Sequence, residues 1–227
     1  MSAAAAPPDL LALRAELDRI DDALHDLLMR RADIVTQVGA LRAKGPVALR
    51  PGREAAILTR LLARNQGALD PATLVRVWRD ILNGSTAQQQ SLKIAVAAPA
   101  LIPLIRQHFG TQARIEILST DEDAIAAIRT GANQVAVLRW PAPWWPTLLQ
   151  QQVHIVAKLP FWGPSGKTAP PTAMVLTAAE PDPSGHDRTL IATGPTLQER
   201  DGFLTPADLP PGATIVGAYA IPLGTEP

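Results

Sequence analysis

The chain has 227 residues, 47 % of them apolar, and its 21 basic side chains are matched by 21 acidic ones, so no net charge steers it towards nucleic acid or an acidic membrane. It has no cysteine, and its four histidines (His25, His108, His154, His186) show no ligand spacing, which argues against disulfides, thiolate chemistry and a metal centre. No apolar run reaches the ~18 residues of a membrane span and no basic-then-apolar leader opens the chain, so a cytoplasmic protein is expected.

The alanine-rich start "MSAAAAPPD" reads as disordered. From residue 9 to 43 the apolar positions Leu10, Leu13, Leu17, Ile20, Leu24, Leu27, Ile34, Val38 and Leu41 keep alternating steps of three and four, with Arg31 filling the gap in the series. That is the stripe of one long packed helix, capped by Asp9. Such a helix is ~50 Å long, more than a ninety-residue domain can cover alone, so its stripe calls for a second copy of the chain. Two more helices are expected at 52–65 and 71–91, the last capped by Asp70 with Pro71 in its first turn, and connected through "KGPVALRPG" and "NQGALDP".

Near Leu92 the composition changes. Five of the 22 prolines precede residue 93, and seventeen follow it. The runs "KIAVAA", "RIEILS" and "QVAVLRW" are separated by "PALIPLIRQHFG" and "DEDAIAAIRTGA", the β-α-β-α-β order of a parallel sheet. "HIVAKLPF", "TAMVLTAA", "RTLIATG" and "ATIVGAYAI" read as further strands. The expected organisation is an all-helical domain over 1–92 and a small α/β domain over 93–227.

Arg31 stands where a core residue belongs, and an unpaired buried guanidinium costs several kcal/mol. Arg42 lies eleven residues on, within ~20° of it around the axis, so the two can face one anion. Arg14 is ~25 Å from Arg31 along the helix, out of reach within one chain but not across an antiparallel dimer. Arg53 and Glu54 open the second helix, and the ridge Val77, Ile81, Ser85, Gln89 of the third turns polar at its end. Singly, these have ordinary readings: an arginine on a stripe snorkels, and the polar end of a helix is solvated. Together, several cations and one acid on a three-helix core suit a small dianion and electrostatic catalysis without a nucleophile.

The order "LLALRAELDRID", "LLMRRADIVTQVGALRAK", "RPGREAAIL", "VWRDILNGSTAQQQ" over residues 9–91 resembles the all-helical class of chorismate mutases, the family that includes the mutase domain of mutase/prephenate dehydratase proteins. The resemblance implies an intertwined homodimer of three-helix subunits that converts chorismate to prephenate, in phenylalanine and tyrosine biosynthesis, with no cofactor. It implies that Arg14 is donated across the dimer to one substrate carboxylate and that Arg31 holds the other. Arg42, where most members have lysine, and Gln89 would bond the breaking ether oxygen; Arg53 and Glu54 match an "RE" pair whose glutamate takes the substrate hydroxyl, and Ser85 matches a carboxylate-binding serine. Arg50 stands where some members have an aspartate near that hydroxyl. The same scaffold also carries isochorismate pyruvate-lyase activity, and a non-enzymatic dimeric sensor is the remaining alternative; Glu54 and Gln89 together favour the mutase.

Residues 93–227 resemble a prephenate dehydratase poorly, lacking its Thr-Arg-Phe triplet and its Gly-Pro-rich first loop, and are expected to be a degenerate, non-catalytic relative with a stabilising or effector-binding role. "FWGPSGKTAP" has glycines without the strand-turn-helix context of a nucleotide loop. The cluster Trp140, Trp144, Trp145 is expected to pack against a sheet.

Overall fold

A computed structural model describes residues 9–41, 47–163 and 172–224. The alanine-rich start, Arg42 and all but the first three residues of "FWGPSGKTAP" lie outside them. The chain divides into two compact units, residues 1–43 and 44–227. The expected boundary near Leu92 separates helical from sheet sequence, but packing assigns the second and third helices to the same unit as the sheet.

Among the described residues the first unit contributes one helix, α1 (Leu10–Leu41). Asp9 starts it, its carbonyl accepting from Leu13 N at 3.0 Å and its carboxylate from Leu11 N at 3.4 Å. No residue of α1 is buried. Its apolar stripe from Leu10 to Leu41 is between 43 and 86 % exposed.

The second unit begins with α2 (Pro51–Ala63) and α3 (Pro71–Gln89), followed by β1 (Lys93–Val96), α4 (Ile102–Phe109), β2 (Arg114–Ile117), α5 (Asp121–Arg129), β3 (Val135–Arg139), β4 (His154–Leu159), β5 (Ala173–Thr177), β6 (Asp187–Thr193), β7 (Thr196–Asp201) and β8 (Ala213–Ala220). The strands form one sheet in the order β2-β1-β3-β5-β4-β8-β6-β7. The β-α-β-α-β reading holds for its first part, where β1 pairs parallel with both β2 and β3. From there the sheet is mixed: β5 runs antiparallel to β3 and β4, β8 lies parallel to β4, and β6 is antiparallel to its neighbours β8 and β7.

Strand alternation divides the core into two layers. Ile94, Val96, Val135, Val137, Ala173 and Val175 point to one face, where they meet Ala55 and Leu58 of α2, Leu82 of α3, and Leu104 and Ile105 of α4. Ala95, Ala136, Leu138, Met174 and Leu176 point to the other, under Ala124, Ile125 and Ile128 of α5. Trp144 also packs in that second layer, its Nε1 donating to the Arg139 carbonyl at 2.9 Å and its ring 5.7 Å from that of Trp140, in line with the packing role expected of the tryptophans. Two of the helices of the helical sequence therefore serve as the cover of a sheet face. Among the described residues no helix is long and apolar enough to cross a membrane.

Candidate functional site

The helix starts place the functional side chains. α3 is capped as its sequence indicates, Asp70 accepting from Thr73 N at 2.9 Å with Pro71 in the first turn. α2 also opens on a proline, but Arg50 at its cap position offers no acceptor. The missing anion arrives from the loop after β5: Asp182 accepts from Gly52 N at 3.1 Å through Oδ1 and from Arg53 N at 2.9 Å through Oδ2. A negative carboxylate on these orphan amides also suits the positive end of the helix dipole. The approach is so close that a Cβ on Gly52 would stand 2.0 Å from the Asp182 carbonyl oxygen, so only glycine fits.

In the first unit, Arg14 is exposed on α1 and Arg31 is half-buried, its guanidinium pKa lowered by that burial. Arg42 is outside the described residues. In the second unit, Arg53 is exposed in the first turn of α2. Ser85 and Gln89 are half-buried, one turn apart on α3; Ser85 Oγ donates to the Ile81 carbonyl at 2.7 Å and Gln89 Nε2 to the Ser85 carbonyl at 3.1 Å. Both hydrogen bonds fix rotamers along one edge of the helix. That edge is not the one packed within the second unit: Val77 is 44 % exposed, while Leu74, Val75, Arg79, Leu82 and Thr86 are buried. The inward ridge of α3 in this unit is thus displaced around the helix from the one expected, because the sheet layer takes Leu82.

Glu54 is buried, and Arg79 of α3 donates Nη1–H to its Oε2 at 2.8 Å. Burial raises the Glu54 pKa, a shift that Arg79 offsets in part and that the nearby Asp182 reinforces. Burial lowers the Arg79 pKa in turn, against the pull of Glu54. The Glu54 Oε1 accepts from no group among the described residues, so one carboxylate oxygen is held and the other is left to accept. Arg79 also lies over the Phe161 ring, 4.5 Å from its centroid, and beside His108. Burial, and secondarily Arg79, hold the His108 pKa well below its usual value, so the imidazole is neutral near pH 7.

Arg79, His108, Phe161 and Asp182 were not singled out from the sequence. Arg79 could have been: between Val75 and Leu82 it interrupts an apolar face as Arg31 interrupts the stripe of α1. Asp182 carried no such signal, since it is 130 residues from the amide it meets.

Residues 13–90 match the family model Chorismate mutase type II. Among curated proteins, the bifunctional chorismate mutase/prephenate dehydratases of Pseudomonas aeruginosa and Stutzerimonas stutzeri are 28 and 32 % identical over 138 residues, each match taking in 57 % of this chain and 38 % of the relative. That of Aquifex aeolicus is 27 % identical over 130 residues, 54 % of this chain and 36 % of its own. The chain thus spans less than two fifths of the length of these relatives, and the matches take in more of it than the helical stretch supplies. One solved structure, described as GqqA, a novel type of quorum quenching acylases, is 14 % identical and covers 56 % of this chain and 94 % of its own at a TM-score of 0.41, too slight a likeness to bear on fold or function. Residues 13–90 thus match the chorismate mutase type II family as a helical segment, followed in this chain by a mixed-sheet α/β region.

Proposed function

We propose that the protein is a chorismate mutase that converts chorismate to prephenate in the cytoplasm, as a homodimer whose sites each draw on both chains. The observation that carries this reading is the family match across all three helices, 13–90; within that span lie Arg14, Arg31, Arg53, Glu54, Ser85 and Gln89, the residues to which the resemblance gives site roles. The exposed stripe of α1 supports the dimer, since an apolar surface of that extent marks a protein contact.

In the pericyclic transition state the C–O bond breaks ahead of C–C bond formation and negative charge gathers on the ether oxygen. Arg42 and Gln89 donate to that oxygen, where fixed donors act most strongly on developing charge. Arg31, with Arg14 of the partner, holds the two carboxylates and so selects the compact conformer that reacts, with Ser85 and Arg53 completing the anion site. Glu54 takes the substrate hydroxyl on Oε1 while Arg79 keeps Oε2 in place, which makes Arg79 a positioning residue. The sheet region acts as a non-catalytic, dehydratase-like support for α2 and α3, whose apolar residues share its core.

Loss of chorismate absorbance with the purified protein tests this, followed by acid conversion of prephenate to phenylpyruvate. Removing one donor to developing charge costs ~10²- to 10³-fold in rate, so Arg42→Ala is expected to lose at least that much while remaining folded. Wild-type turnover in that variant contradicts the assignment, as does pyruvate release in place of prephenate.

A further inference from the structure

The second unit has a cleft that the proposed rearrangement does not use. It lies between α3, α4 and the chain leaving β4, and its lining includes Arg76, Arg79, Gln107, His108, Phe161 and Trp162. Two of its polar side chains are more than nine-tenths buried, Arg79 at 6 % exposure and His108 at 7 %. Arg79 commits Nη1 to Glu54, leaving Nε and Nη2 without a hydrogen-bond partner among the described residues. The ring nitrogens of His108 also have none there, since its hydrogen bond from Asn83 goes to the backbone carbonyl. Among the described residues, Gln151 Oε1 is the one side-chain atom both sealed and unpaired. The unpaired nitrogens of Arg79 and His108 are therefore not sealed, both residues line the cleft, and buried polar groups without partners signal a ligand that supplies them.

The charge of the cleft selects among ligands. Glu54 neutralises Arg79, and His108 is kept uncharged by burial and by Arg79 itself. Among the described lining residues that leaves Arg76, whose Nη2 donates to the neutral Thr73 Oγ1 at 3.3 Å, as the cation without a counter-charge. Among the described residues no aspartate or glutamate lines the cleft, so a ligand ammonium finds no partner among them and faces two guanidinium groups. One anion is accommodated, whereas a dianion would leave a charge uncompensated. The remaining walls, Val75, Leu104, Phe161 and Trp162, are apolar or aromatic.

We propose that this cleft binds a small aromatic monocarboxylate lacking an amino group, its carboxylate taken by Arg76 and Arg79 and its ring set against Phe161 and Trp162. The proposal does not depend on the mutase reading, because binding is measured without chorismate. Isothermal titration calorimetry of the full chain with phenylacetate is expected to give saturable, submillimolar binding of one molecule per chain. Phenylacetamide, which keeps the shape and loses the charge, and L-phenylalanine, which adds the ammonium, are each expected to bind at least ~10-fold more weakly. Arg76→Gln, at an exposed position, is expected to weaken phenylacetate by ~10-fold with no change in thermal midpoint. Trp162→Leu is expected to weaken it as well. No saturation with phenylacetate, equal affinity for phenylacetamide, or unchanged affinity in both variants would overturn the proposal.

Discussion

Two parts of the stretch that matches the family model solve the problem of the apolar helix face in opposite ways. α2 and α3 bury Ala55, Leu58, Leu74, Val75 and Leu82, and the ion pair of Glu54 with Arg79 joins them polar to polar. α1 buries no residue, although its stripe is the longest apolar run of positions in the chain. Periodicity alone treats all three helices alike. The difference teaches that amphipathic spacing states that a face will be covered and not what covers it: for α2 and α3 the cover is a sheet from later in the same chain, and for α1 we assign it to a second copy.

The comparison is most severely strained by removing Arg79. If the pair with Glu54 anchors α3 to α2, Arg79→Met leaves a buried carboxylate without its cation and is expected to cost ~3–5 kcal/mol in urea unfolding. Replacing both partners by methionine is expected to recover most of that loss. The pH dependence has a definite sign. Burial raises the folded-state pKa of Glu54 above the unfolded value, so its contribution favours the fold at low pH and is lost as pH rises through the folded pKa. Without Arg79 that pKa rises further; the defect of Arg79→Met is therefore expected to be smaller at about pH 4 than at about pH 8.

A smaller effect tests the contact between the loop after β5 and α2. Gly52→Ala places a Cβ against the Asp182 carbonyl and is expected to cost ~1–3 kcal/mol, as overpacking does. Asp182→Ala removes only the acceptors and is expected to cost ~1 kcal/mol, the usual worth of a helix cap. Equal stability of Gly52→Ala and the wild type by thermal unfolding would show that α2 is not held at this loop.

The smallest expected change in stability sharpens the other side of the comparison. Leu24→Lys, at a position 51 % exposed, is expected to shift the unfolding of the sheet unit by less than ~0.5 kcal/mol. The same substitution is expected to abolish self-association in sedimentation equilibrium. A protein that sediments unchanged would remove the stripe of α1 as the dimer contact.

The elements that the sequence made legible are those whose signals are local. α1, α2 and α3 lie within a few residues of their expected bounds because Asp9, Asp70 and Pro71 sit at the starts of α1 and α3 and the connector "KGPVALRPG" ends where α2 begins. Seven of the strands follow from β-rich runs, but β7, "TLQERD", was missed. It has one apolar residue on an exposed edge and owes its place to the hairpin that pairs Thr193 with Thr196, not to burial. The switch from parallel to mixed sheet was equally hidden, since the insertion of β5 between β3 and β4 depends on pairings that no local pattern encodes. At the candidate site, the residue types could be read from spacing, but their surroundings could not. Glu54 was read as an acid for a substrate; that it also holds Arg79 follows only from the packing of α3 on α2. That Asp182 supplies the cap that Arg50 cannot was hidden, because the two are brought together only by the fold.

The claim that one site needs two chains is tested most directly by mixing two variants. Arg14→Ala and Arg31→Ala are each expected to lower chorismate turnover by ~10²-fold or more. In a random mixture about half of the dimers are mixed, and each of these holds one complete site built from the intact Arg14 of one chain and the intact Arg31 of the other. Co-refolding the two variants is therefore expected to restore about a quarter of the wild-type activity. A mixture no more active than its components would contradict the shared site and confine the chemistry to a single chain.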